Sequence, residues 1–236
     1  MKVLNLSYHP LDCRSGKWLD LSRKGNHGTP YGGARPYMIA PGVMGFEFDG
    51  SSGDVDCGQG ASICPQEITM AAWVYAHQLT DWGGIITNKS DSRHGINLSI
   101  GSKFNLSALV GDGSGSTYVK TSWTPSEREW YYVVITHKSN TNKLYVNSIL
   151  EDTKVRGLVY DSTPRLVVGR FYYPTSSLYL IGITVSPYIC DYALSQDEVR
   201  ENMYRSPIYR MLRGLPHSMI YTKVPWKQTQ GGIYVP

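Results

Sequence analysis

The stretch that most constrains this chain is WYYVVITHKSNTNKLYVN, from Trp130 to Asn147. Two apolar-aromatic runs, Tyr131–Ile135 and Leu144–Val146, flank the polar segment Lys138–Lys143. β-Branched and aromatic residues bounded by an Asn/Ser/Thr cluster predict two strands joined by a tight turn. The first run is apolar at consecutive positions, so neither of its faces suits water. It is expected at the centre of a sheet, covered on both sides.

Further strands are predicted at Gly45–Gly50, Glu67–His77, Gly83–Asn88, Gly95–Ile100, Phe104–Val110, Tyr118–Lys120, Arg165–Gly169 and Ser177–Val185. Turn residues punctuate them about every ten positions, and Gly32–Pro41 reads as loop. Such punctuation favours an all-β chain, and 236 residues suffice for one sandwich with a full core. Ser195-Gln-Asp-Glu198 is a capping box and opens a single predicted helix, about Gln196–Tyr204. The organisation expected is an N-terminal arm over 1–17, a sandwich over 18–205 and an extended tail over 206–236.

Several of these stretches share one resemblance. Trp130-x-x-Val133-Val134 with Leu144-Tyr-Val-Asn147 resembles the paired-strand core of laminin-G-like, concanavalin A-like lectin domains. Trp18-Leu-Asp-Leu-Ser-Arg-Lys-Gly-Asn-His-Gly28 is similar to that family's opening loop, and Ala193-Leu-Ser-x-x-Glu-Val199 to its closing helix. The resemblance implies an antiparallel two-sheet jelly roll with one short C-terminal helix.

Catalysis is not expected. Glu47 and Asp49 share a strand face, as carboxylates of fold-related glycosidases do, but Ser52 stands where a third acid belongs. Calcium, which the family often holds, would draw on Asp20, Asn26, Asp49 and Asp54. Against it, Val185 fills the slot where the family places a further acid, and turns stabilised by these side chains are the alternative; no cofactor is required. A glycan would need aromatic platforms. Trp82, beside Gly83-Gly84, and Phe171, Tyr172 and Tyr173 are the candidates, with packing under a loop or against a neighbour as the alternative.

The four cysteines show no zinc spacing; Cys57 and Cys64 read as free thiols or as a bridge if oxidised. The net charge of +4 gives no reason to expect nucleic acid, and no run reaches the roughly 20 apolar residues of a membrane span. No secretory signal is expected at Met1–Ser7.

The tail is different in kind. No acidic residue follows Glu201. Arg210, Met211, Leu212, Arg213, Ile220, Tyr221, Trp226 and Tyr234 make it basic and too apolar for an ordinary solvated end. Its motifs, and His9-Pro10-Leu11 at the start, resemble the ends of laminin-G-like proteins of tailed bacteriophages and related viruses. That resemblance implies a structural virion protein, in head decoration or a tail fibre, whose tail docks on copies of itself or on other virion proteins. A glycan-binding adhesin is the alternative.

Overall fold

The structure is a computed structural model and describes residues 4–7, 18–89, 91–162, 164–173 and 176–214. In chain order the strands among these residues begin with β1 (Leu4–Ser7), β2 (Thr29–Tyr31), β3 (Arg35–Ala40), β4 (Val43–Asp49) and β5 (Asp54–Gln59). Next come β6 (Ile68–Gln78), β7 (Gly83–Asn88), β8 (His94–Gly101), β9 (Asn105–Asp112) and β10 (Ser116–Lys120). Then follow β11 (Trp130–Lys138), β12 (Thr141–Val146), β13 (Ile149–Val155) and β14 (Arg165–Val168). The last are β15 (Arg170–Tyr173), β16 (Ser176–Tyr179) and β17 (Ile181–Cys190), before helices α1 (Gln196–Arg205) and α2 (Pro207–Leu212).

Two antiparallel sheets face each other. The first runs β13-β12-β11-β6-β17-β4-β3, with β1 pairing a stretch of β17; the second runs β10-β9-β8-β7-β14-β5-β2. Period-two alternation sends Phe46, Phe48, Met70 and Val74 from the first sheet, and Val55, Ile86, Leu98 and Val168 from the second, into one buried core. This is the jelly-roll sandwich that the sequence implies.

The organising hairpin is where it was expected. β11 pairs β6 on one side and β12 on the other. Ser139 and Asn140 turn between β11 and β12 with φ of 47° and 62°, the paired left-handed conformation that a two-residue hairpin needs. Tyr131, Val133 and Ile135 face the inter-sheet core, while Tyr132 and Val134 face outward beneath the helices. Both faces of β11 are thus covered.

That outer cover is α1 and α2. Ser195 caps α1 reciprocally with Glu198, the expected capping box. Val199, Met203 and Ile208 bury themselves on Trp73, Tyr132 and Val185. Tyr132 and Tyr188 share a hydrogen bond at 2.8 Å, and Asn202 Nδ2 donates to the Tyr188 hydroxyl at 3.2 Å. These bonds tie the helix to the sheet.

Two expectations need correction. Residues 207–212 are not extended: Ser206 caps a second helix by accepting from the Tyr209 amide, and Pro207 takes its first turn, where its missing N–H costs nothing. Ile208 is fully buried against the chain's own sheet. Arg210, Met211 and Leu212 therefore sit on a docked helix with Arg213 as its cap, and the Arg213 guanidinium lies 5.4 Å over the Tyr209 ring. Ile220, Tyr221, Trp226 and Tyr234 lie outside the described residues.

The segment read as loop at Gly32–Pro41 contains β3, whose residues Arg35–Met38 are exposed; Pro36 is tolerated there because β3 is an edge. The mixed sequence of β13 is likewise an edge strand. Among the described cysteines, no disulfide joins Cys57, Cys64 and Cys190 to one another. No helix among the described residues is long and apolar enough to cross a membrane.

Candidate functional site

The four residues put forward for calcium have their oxygens engaged within the protein. Asp20 accepts from the Ser22 amide and hydroxyl at 2.8 Å each and from the Asn26 amide at 2.9 Å. Asn26 Oδ1 accepts from the Ser62 hydroxyl at 3.0 Å. Asp49 accepts the amides of Ser51, Ser52 and Gly53 and both serine hydroxyls, all within 3.0 Å. Those donors favour its charged form and hold its carboxyl well below the usual carboxylate range.

Asp54 faces the Arg170 guanidinium at 3.1 Å. Burial pushes its pKa up, and Arg170 pulls against that. A cation would have to displace an arginine here. Among the described residues no three of His, Cys, Asp and Glu converge, so the set does not fit a shared calcium site. Glu47 is also occupied, accepting from Arg35 Nε at 2.7 Å and pairing with His77 Nε2 at 3.0 Å.

The aromatic candidates divide. β15 and β16 pair as a hairpin of their own, joined in the chain between β14 and β17. Phe171 is fully buried, and Trp82 stacks on it at 4.3 Å and 19°. Phe104 stacks on Trp82 at 4.6 Å. The reason is Gly84, where a Cβ would lie 2.0 Å from the Phe171 amide nitrogen. The glycine pair beside Trp82 admits the hairpin's backbone rather than presenting the indole to solvent. Trp82 and Phe171 are therefore packing residues, a correction to their reading as sugar platforms. Tyr172 and Tyr173 register against Ser177 and Ser176, and their side chains lie outside the described part.

An open recess lies elsewhere. β5 ends at Gln59, where Gly58 and Gly60 take φ of 80° and 150° and lead into a 3-10 turn over Ala61–Ile63. Against this turn runs the segment before β14. Between them lies a cleft of about 410 Å³. Gln59, Gly60, Ala61 and Cys64 line one wall; Tyr160, Asp161, Ser162 and Pro164 line the other.

Tyr160 donates to the Pro65 carbonyl at 3.2 Å and packs against the inter-sheet core. Burial pushes its phenol well up and the Cys64 thiol up to about 11, leaving both neutral at physiological pH. The Gln59 amide, Ser162 hydroxyl and Asp161 carboxylate supply donors and acceptors around an aromatic wall. Asp161 is the one carboxylate among the described lining residues. Neither wall stood out in the sequence except as the glycine-containing loop between Cys57 and Cys64.

The chain belongs to the family described as the Concanavalin A-like lectin/glucanases superfamily, whose laminin-G-type model matches residues 49–200. Solved structures agree on the fold. Domain 4 of AbnA, a GH43 extracellular arabinanase from Geobacillus stearothermophilus in complex with arabinotriose, matches with a TM-score of 0.70 at 15% identity. That match covers 85% of this chain and 98% of the domain. The binding domain of botulinum neurotoxin DC in complex with rat synaptotagmin II matches at 0.65 and 16% identity, over 84% of this chain and 51% of that one. The binding domain of Paraclostridial Mosquitocidal Protein 1 matches at 0.67 and 18% identity, over 86% and 52%. This chain thus spans about half of each toxin domain. No curated protein matches it in sequence.

Proposed function

We propose that this chain is a non-catalytic carbohydrate-binding module that holds a glycan segment in the cleft between residues 59–64 on one side and 160–162 and Pro164 on the other. The observation that carries this reading is the cleft itself. It sets an aromatic wall beside an amide, a hydroxyl and a single carboxylate, a combination that hydrogen-bonds sugar hydroxyls but lacks the second acid of a hydrolase. The arabinotriose-bound domain, nearly all of which this chain matches, adds support by fold.

The test is isothermal titration with neutral oligosaccharides, arabinotriose first, on the wild type and on Asp161→Asn. Loss of a charged acceptor typically costs about 1.5–3 kcal/mol, which predicts roughly 10- to 100-fold weaker binding. Equal affinity in the two proteins would remove the cleft from consideration.

A place on a virus particle is the second reading, supported by the acid-free, apolar sequence after Glu201. In that reading the residues beyond α2 hold the module to its own copies or to other virion proteins, and the cleft faces outward. Light scattering on the full chain and on a version ending at Gly214, which keeps both helices, tests it. The expected result is an oligomer that becomes a monomer on truncation; two monomers would count against self-assembly through the tail.

A further inference from the structure

Beyond the cleft, the outer face of the second sheet carries a second group of polar side chains at the same strand. Tyr31 on the edge strand β2 pairs across from Asp54 on β5, and it is 53% exposed. Asp56, two residues along β5, is bonded by Arg165 of β14, whose side chain is half exposed. Arg165, Asp56, Asp54 and Tyr31 lie on the adjacent strands β14, β5 and β2 and form one cluster. Arg170 closes it by pairing with Asp54.

The two features are continuous. Arg165 is the cross-strand partner of Gln59, which lines the cleft, and Pro164 beside it lines the other wall. From Asp54 to Gln59 β5 carries one bulged residue against β14, which leaves about four regular steps, about 13 Å at roughly 3.3 Å each. One end of that path is the Asp161 cleft and the other is the exposed face of Tyr31.

Resting on the carbohydrate-binding reading above, we infer that the outer face over β5, where Arg165 and Tyr31 are exposed, is an elongated binding track. The cleft takes one part of a linear oligosaccharide and Tyr31 stacks on a ring further along. The chemistry names the class. Both arginines are matched by a carboxylate, Arg165 by Asp56 and Arg170 by Asp54. Among the described residues the two arginines of the track are thus spoken for, which disfavours selection of a sulfated or uronic sugar, while its planar, hydrogen-bonding groups beside an aromatic suit a neutral one. Because β2 and β14 both pair with β5, the spacing between Tyr31 and the cleft is fixed, so a chain that spans both gains affinity by linkage of its two contacts.

The experiment is titration calorimetry of wild type, Tyr31→Ala and Asp161→Asn with arabinobiose, arabinotriose, arabinohexaose and an oligogalacturonate of equal length. Wild-type affinity is expected to rise with neutral chain length and to stay weaker for the acidic oligomer. Tyr31→Ala should abolish that rise, costing about 3- to 10-fold with the hexaose as an aromatic contact of about 0.5–1.5 kcal/mol implies. It should leave the biose affinity unchanged, while Asp161→Asn weakens every length. Tyr31 is exposed, and an unchanged melting temperature verifies the fold of its variant. A Tyr31→Ala protein that binds the hexaose as tightly as wild type, or a wild type that prefers the acidic oligomer, overturns the track while leaving the cleft standing. A wild type that binds none of the sugars overturns the carbohydrate reading and the track together.

Discussion

At Asp49 one side chain accepts three backbone amides and two hydroxyls, which makes the turn after β4 a carboxylate-centred knot. The bonded, charged form is favoured in the folded state, so its pKa lies below that of the unfolded chain, about 3.9. A group depressed in this way adds stability above the unfolded pKa, and that stability drains as pH falls through the folded value. Asp49→Asn is therefore expected to lower the urea midpoint at pH 7, with the gap to wild type closing below about pH 4. A gap that persists unchanged at pH 2.5 would mean that the bonds count for little and that shape alone is lost. The Phe-Asp-Gly turn at this position is legible in the sequence. Whether the carboxylate serves amides or a cation is not, because both uses want the same residue in the same kind of loop. Trp82 carries the same lesson: its neighbouring glycines are as consistent with an exposed loop as with the close backbone approach that Gly84 makes.

Among the elements, α2 is the most informative. Its signals, a serine cap before proline, were present at Ser206-Pro207, yet the prolines further on point to an extended chain. Only the buried apolar face of the first sheet decides the matter, since a six-residue helix has little stability of its own. Ile208 is fully buried and Leu212 is half exposed. Ile208→Ala should cost about 2–5 kcal/mol in chemical denaturation, while Leu212→Ala should stay within about 0.5 kcal/mol. Equal small effects would show that α2 contributes nothing to holding the sheet's outer face. The strands divide in the same way. β6 and β11, buried on both faces, announce themselves by uninterrupted apolar runs, whereas β3 and β13 are edges whose exposed side chains carry almost no period.

For the whole molecule, the two-sheet architecture could be read because its core repeats one simple rule, apolar residues alternating inward. The cleft could not. Its walls come from segments about a hundred residues apart, brought together only by the pairing of β14 with β5, and no local pattern records such a meeting. That long-range construction governs the first sheet too. β17 lies between β6 and β4 and also holds β1. A ribosome delivers β4 and β6 early and β17 more than a hundred residues after β6 begins, so the middle of the sheet is the last part to arrive. Until it does, β4 and β6 each hold an open, apolar edge in a crowded cell, where another nascent chain can pair with it. The order of synthesis thus leaves the centre of the sheet open until the last strand slots in.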